Sequence, residues 1–459
     1  MVSYGKQHVC ELYPAWLYNQ GQNVLGFLPK MAVSLSLQSG QYYQTLSQWA
    51  DFNPLIAYLS HETYPSSADE FYQFVIDYQN QHQTKQINSN TDKEVSHVNF
   101  TGGLIGFMGY DAGARQLDNA LYQGNDDNKI QGFFADYHIY LTCQEQGEKF
   151  SWTLHGDLTA SELTKIHQLL QDVIKLHIAT PAPLTLSPRW QKADYAHAFN
   201  RVQDYLIAGD CYQINLTQCW QGKSTHPLAD YLTKLHHATH APFAGYLAFG
   251  EFELLSCSPE LFFYFYQHGT DSKILTKPIK GTRPRSPDPQ KDEQYRQELT
   301  NSDKDISENL MIVDLLRNDL GRYAKVGTVK TPKRFAIESF ASVHHMVSTI
   351  TATLQDGVSP LRLLFDSLPA GSITGTPKKR ACQIIAELES HERGAYCGTL
   401  GFMNADGTGQ FNVLIRTLQA TGDHVELWAG GGITIGSNLD DEYQECWHKV
   451  GKIVDVLGE

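Results

Sequence analysis

Two pairs of carboxylates repeat one spacing in this sequence. Asp305 and Glu308 sit three residues apart in "SDKDISENLMIVD", and Glu442 and Glu445 do the same in "DEYQECWHK". On a helix, residues three apart share a face, so each pair can aim two acidic groups in one direction. Carboxylates on a helix are ordinarily solvated. If the two faces meet, however, their like charges require a cation. Hard oxygen ligands, completed by water and an anionic substrate, describe a Mg²⁺ site. Spacing alone leaves open whether they meet.

Other residues could act on an anion beside such a metal. In "TKPIKGTRPR", the prolines and glycine mark a turn, and Lys280 at its centre is by base rate a surface charge. It becomes a nucleophile only if desolvation or a nearby cation lowers its pKa. Glu260 follows a proline in "SPELFF". It is either an exposed loop carboxylate or, if burial raises its pKa, a general acid. Gln213 in "CYQIN" cannot serve as a base. Gly430, Gly431 and Gly432 can offer successive amide N–H groups to a carboxylate, or merely permit a tight turn. Arg416 lies in "FNVLIRTLQ", read as one strand, with Leu414 and Leu418 on its face. An arginine there needs an anionic partner, and its fork suits a carboxylate. Tyr396 and Thr374, the latter in "SITGTPK" before a helix, offer further contacts or simple packing. His344 and His345 point to opposite strand faces and cannot chelate one metal together. These residues imply an enzyme acting on an anionic substrate with Mg²⁺. A metal-free Schiff-base lyase using Lys280 and a non-catalytic scaffold remain open on this ground.

The elements that must position these groups read as an α+β protein. The chain has 459 residues, 41% of them hydrophobic, enough for a substantial core. A net charge of −14 argues against a broad nucleic-acid surface, so any anion must be held locally. Eight scattered cysteines without a Cys-x-x-Cys pair suggest reduced thiols. No leader pattern and no membrane-spanning apolar run is apparent, which implies a cytoplasmic protein. Residues 1 to about 178 form one region, interrupted by the polar run "NQHQTKQINSNTDKE", read as a loop. A connector, "TPAPLTLSPR", leads to a second region over 190–459. There, strands such as "FAGYLAF", "FELLSCS" and "ILTKPIKGT" alternate with helices, the longest capped by Ser302. Thr376 is expected to cap the helix after "TGTPKKR", with Pro377 in its first turn. Strands without regular βαβ alternation indicate antiparallel sheets.

Taken together, "GDCYQINLTQ", "SPELF", "KPIKGTRPR", "SENLMIVDLLRNDLG", "AGSITGTPKKRA", "YCGTLGF", "NVLIRT", "AGGGIT" and "DEYQE" resemble the chorismate-utilising enzymes, in that family's order over about residues 190–455. "GGLIGFMGYDAG" looks like the amino-transferring branch. The resemblance implies the anthranilate synthase component I-like fold, large antiparallel sheets in a sandwich flanked by helices. An N-terminal domain there often carries a tryptophan pocket. Glu308 and Glu445 then match the Mg²⁺ ligands, with Asp305 and Glu442 beside them. Arg416, Tyr396, Lys449 and the amides around Gly431 match the carboxylate-holding residues. His345, Thr374 and Gly281 fall at substrate-facing positions, and Glu260 matches the acid that protonates the departing 4-hydroxyl. Gln213 stands where water-adding members carry a lysine base, which implies ammonia as nucleophile. Anthranilate synthases carry alanine where this chain has Lys280. The resemblance therefore implies that Lys280 adds at C2 of chorismate and that ammonia then displaces it, giving 4-amino-4-deoxychorismate. Anthranilate formation is the alternative. No cysteine sits in a Gly-x-Cys-x-Gly elbow, so the ammonia source is expected to be a separate glutamine amidotransferase subunit.

Overall fold

The computed structural model describes residues 12–49, 60–83, 98–122, 129–146, 149–175, 180–340 and 343–459. Most of the polar run from Asn80 lies outside the described residues. Its first two residues, Asn80 and Gln81, end the helix Ala68–Gln81.

Two antiparallel sheets, of eleven and twelve strands among the described residues, form a sandwich. The first runs from Ser187–Pro188 through Gln213–Lys223, His424–Ile433, Thr417–Thr421, Phe252–Ser258 and Phe243–Phe249 to four strands of the N-terminal half. The second starts at the edge strand Ile279–Pro284. It continues through Val343–Thr353, Asp271–Thr276, Leu261–His268, Gly409–Val413 and Thr399–Asn404 to five N-terminal strands. Ala15–Asn19 pairs with Phe243–Phe249, and Gly103–Met108 with Thr399–Asn404, so strands from both halves of the chain share both sheets.

The central strands are buried on both faces for a physical reason. Phe243–Phe249 and Phe252–Ser258 are buried at every position, because one face meets the other sheet and the other lies under helices. Between the sheets, Phe133 stacks on Phe249 at 4.1 Å and Phe107 on Phe252 at 5.2 Å. Helices Lys192–Ile207, Lys378–Glu389 and Leu439–Gly458 cover the outside of the first sheet, sharing a core with Ile214, Leu216 and Leu427. Asp303–Gly321 and Pro360–Asp366 cover the second.

Three local expectations change. Residues 414–416 do not continue a strand: Gly409–Val413 and Thr417–Thr421 belong to different sheets, and the chain crosses between them at Arg416, whose φ is +53°. Leu414 and Leu418 accordingly enter separate cores. Thr376 pairs with Gln213 rather than capping, and the next helix starts at Lys378 behind Pro377 without a side-chain cap. The glycines 430–432 lie inside a paired strand, opposite Thr217, Leu216 and Asn215, and form no turn.

Candidate active site

The residues around Lys280 form an edge strand, in keeping with the strand read in "ILTKPIKGT" and not with the turn read from the prolines and glycine of "TKPIKGTRPR". Ile279 pairs with Val347 and Thr282 with His345, so Lys280 and Gly281 together oppose Met346 alone. That is a β-bulge, which bends the strand and re-aims a side chain. Gly281 has φ +79°, and a Cβ there would lie 2.7 Å from Leu299 Cδ1 and 2.8 Å from Asp305 Cγ. Only glycine meets both demands. The flanking residues pin the strand: Arg283 donates to Asp305 at 3.2 Å, Arg285 grips Asp292, and Thr282 bonds His345 Nδ1 at 2.9 Å. Pro284 ends it at the sheet's edge, where a missing N–H does no harm.

Lys280 is largely buried, and its Nζ stands 3.7 Å from Glu308 Oε2. Glu308 projects from the helix Asp303–Gly321, which Ser302 caps as expected. The other oxygen of Glu308, Oε1, is buried and has no partner among the described residues.

Glu260 closes the site from the opposite strand end. It is 7% exposed. Burial pushes its carboxyl up to about 7, against the charges of Lys280 and Lys449, the Ile279 N–H and the Ser372 hydroxyl. A carboxyl titrating there holds a proton for a leaving group near neutral pH.

From Glu260 the surrounding segments form a ring. Ser372 begins the stretch to Thr376, and the Thr374 carbonyl accepts the Asn215 N–H at 2.8 Å. Gln213, fully buried, lies over Gly432, where a Cβ would sit 2.7 Å from its Cδ. Next to it, a Cβ on Gly431 would come 2.8 Å from Glu442 Oε2 and 3.5 Å from Glu445 Oε1. Lys449 then donates to the Gly430 carbonyl at 2.8 Å and pairs with Glu445 at 2.6 Å. Its charge also acts on Glu260, which completes the circuit.

The four acidic residues fare differently. Burial raises the Glu442 carboxyl, which accepts a hydrogen bond from Ser437 at 2.7 Å. For Glu445, burial is outweighed by Lys449, Lys280 and Lys304, which hold it below the ordinary range. Asp305 is engaged by Arg283. Among the described residues, no group of three or more His, Cys, Asp or Glu side chains converges as a metal site. Glu308 and Glu445 remain, two hard donors that both feel Lys280; Glu308 Oε1 is without a partner among the described residues, and Glu445 Oε1 pairs with Lys449. That donor set fits a Mg²⁺ completed by water and substrate. It does not fit an all-protein cage.

Arg416 is partly buried, and among the described residues no carboxylate pairs with it; burial presses its pKa down. Its charge, after burial itself, helps hold the neighbouring His345 down at about 4, so this imidazole is neutral. His344, on the opposite face, bonds Asp292 and Ser339. Tyr396 is packed against Trp428 and Arg393, and the Thr374 hydroxyl donates to the Ala370 carbonyl. Neither side chain is joined by these contacts to Lys280 or Glu260. Three residues escaped the sequence reading. Ser372 and Asn215 lie inside the quoted motifs "AGSITGTPKKRA" and "GDCYQINLTQ", and Lys304 adjoins Asp305, but nothing in their types singled them out.

The sequence matches the chorismate binding enzymes over residues 41–455. The chain belongs to this family. Aminodeoxychorismate synthase component 1 of Escherichia coli (strain K12) is 39% identical over 363 residues, 78% of this chain and 77% of that one. Its counterpart from Salmonella typhimurium is 40% identical over 362 residues, with the same coverage. Anthranilate synthase component 1 of Thermus thermophilus is 38% identical over 264 residues, 57% of this chain and 56% of that one. Among solved structures, anthranilate synthase component I from Streptococcus pneumoniae superposes with a TM-score of 0.73 at 24% identity, covering 95% of this chain and 92% of that one. The expected α+β sandwich of a chorismate-binding enzyme is therefore the fold observed.

Proposed function

We propose that this chorismate-binding enzyme joins ammonia to chorismate, giving 4-amino-4-deoxychorismate for 4-aminobenzoate and folate synthesis. A separate glutamine amidotransferase subunit (component II) would supply the ammonia, and Mg²⁺ would be required. The observation that carries the reading is Lys280, set in a bulge between the buried acid Glu260 and the carboxylate Glu308. An alanine there would fit anthranilate formation instead. The names of the most similar relatives support the same choice.

In this reading the neutral Lys280 amine bonds to C2 of the ring, both ring double bonds shift by one position toward C4, and the C4–O bond breaks. Glu260 donates its proton to the departing hydroxyl, which leaves as water. Ammonia then bonds to C4, both double bonds return, and the C2–N bond breaks, releasing Lys280 as the neutral amine. The proton shed by the attacking ammonia returns to Glu260, which restores the acid. Dividing one difficult substitution into two allylic displacements is the gain that covalent catalysis offers. Arg416, Lys449 and the amides of Gly430 to Gly432 would hold the carboxylates of chorismate. Glu308 and Glu445 would hold Mg²⁺, which when bound serves as template and charge sink for the ring carboxylate.

The competing reading is anthranilate synthesis, favoured by the Thermus thermophilus relative. Incubating the chain with chorismate, Mg²⁺ and ammonium chloride, and identifying the product, separates the two. Release of anthranilate and pyruvate would sink the proposal.

A further inference from the structure

We infer that the sandwich carries a second ligand site, remote from the active site and built for a small carboxylate with a flat apolar body. A cavity of about 330 Å³ opens between the two sheets. Its walls come from Gln213–Lys223, Thr417–Thr421 and His424–Ile433 of the first sheet and from the start of Lys129–Tyr137 of the second. Gln221, in this wall, lies eight residues along its strand from Gln213, about 26 Å at the usual rise per residue. None of the residues placed around Lys280 and Glu260 borders the cavity. The layer between two packed sheets is ordinarily apolar. Here Lys129, Arg189, Gln221, Gln419 and Glu426 gather around Phe252 instead.

The charges in the wall decide the ligand's class. Glu426 is already covered: Lys129 donates to it at 3.2 Å, Gln419 at 2.7 Å, and His424 Nε2 lies 3.6 Å away. Although it is buried, these contacts hold its carboxyl down at about 2. Lys129 thus neutralises Glu426. Among the described residues no protein group pairs with the side chains of Arg189, on the exposed side of the cavity, or Gln221. The charge left over is a guanidinium fork, which suits one carboxylate held bidentately. The floor differs in kind. Phe252 is 4% exposed and stacks on Phe107, with Ile130 and Ala420 beside it, so the ligand's body meets a flat apolar surface. A phosphate would leave that surface unused and bring a second negative charge toward Glu426. A cation would meet Arg189 and find no acid unpaired. Gln419 also joins this wall to the active site. Its Nε2 donates to the Arg393 carbonyl at 3.0 Å, and the Arg393 guanidinium donates to the carbonyls of Asn215 at 2.8 Å and Ile373 at 3.3 Å. A filled cavity is therefore expected to change turnover without competing with chorismate.

The binding test needs no turnover and so stands apart from the proposed amination. The whole chain, free of chorismate, is titrated calorimetrically with benzoate, acetate and inorganic phosphate. Benzoate should bind, with acetate and phosphate weaker by about tenfold or more. Arg189→Glu should raise the benzoate Kd about tenfold or more while chorismate turnover stays within about twofold. Arg189→Lys, which keeps the charge and loses the fork, should recover part of that affinity. No benzoate binding up to about 10 mM, or acetate or phosphate binding as tightly as benzoate, overturns the site. So does a benzoate Kd in Arg189→Glu within about twofold of wild type. If Arg189→Glu loses turnover as well, Gln221→Leu decides: a raised Kd with turnover kept supports the site, and an unchanged Kd overturns it. In steady-state assays, saturating benzoate should change kcat and leave the KM for chorismate within about twofold. Inhibition that chorismate relieves would place benzoate in the active site and overturn the assignment, and an unchanged kcat overturns the link through Gln419.

Discussion

Glu260→Gln separates the stability of the site from its chemistry. Burial raises this carboxyl from its ordinary 4.5 to about 7, which corresponds to about 3 kcal/mol of folding free energy. The sign follows from the direction. Below pH 4.5 the group is protonated in both states and costs nothing. As pH climbs from 4.5 to 7, the unfolded chain ionises while the native protein must hold its proton, so stability falls. Above 7 the loss is complete. Between pH 5.5 and pH 8 the wild type should therefore lose about 2 kcal/mol through this one residue. Glutamine keeps the shape, carries no charge, and cannot lose stability in that window. Urea unfolding of both proteins at pH 5.5 and pH 8 should show Glu260→Gln gaining about 2 kcal/mol relative to wild type between the two conditions. Turnover should move the opposite way, falling by about 10²- to 10⁴-fold when a positioned acid is removed. The wild-type rate should also decline as pH rises through about 7, when Glu260 loses its proton. Parallel pH dependence of unfolding in the two proteins would refute the burial argument, and a loss in turnover below tenfold would refute the acid role.

The remaining predictions concern the lysine and the metal ligands. Lys280→Ala should lower formation of the C4-aminated product by about a hundredfold or more while calorimetric chorismate affinity stays within about threefold. Wild-type turnover in that variant would remove the covalent role, and a switch to anthranilate would place product choice at this residue. Glu308→Gln and Glu445→Gln should each raise the Mg²⁺ concentration for half-maximal rate by about ten- to a hundredfold, and unchanged titrations would refute the ligand assignment.

Much of the sandwich was legible because alternation and burial agree. "FAGYLAF" and "FELLSCS" are apolar at most positions and prove to be central strands covered on both sides. The helix after Ser302 begins where its cap places it. What failed was local pattern carried across a change of partner. From Phe411 to Gln419 the residues read as one strand, yet the chain leaves one sheet at Val413 and joins the other at Thr417. Periodicity reports which face a residue shares with its neighbours, and it is silent when the sheet itself changes. The same limit hides the interleaving of the two halves. The connector read in "TPAPLTLSPR" comes from local composition, whereas the pairing of Gly103–Met108 with Thr399–Asn404 is a contact no local signal encodes.

The site was legible in its residue types and hidden in its assignments. The two carboxylate pairs share helix faces as their spacing requires, yet the pairs do not act as units. Arg283 takes Asp305 and Ser437 binds Glu442, leaving Glu308 against Lys280 and Glu445 against Lys449. Which member is left over depends on a partner twenty-two residues away in one case and five in the other, so spacing could not tell. The turn signals around Lys280 were real but served another structure. Proline at a strand end and glycine at positive φ are what a bulged edge strand needs as much as a turn does. The distinction matters for chemistry. A lysine in a free turn would sweep through solvent and pay rotamer entropy for every productive encounter. In the bulge, Thr282, Arg283 and Arg285 fix the chain on one flank and the pairing of Ile279 with Val347 fixes the other, and Lys280 is held between the acid and the carboxylate it would have to serve. Sequence identified the group, and only the pairing of Ile279 with Val347 and Thr282 with His345 explains why it points inward.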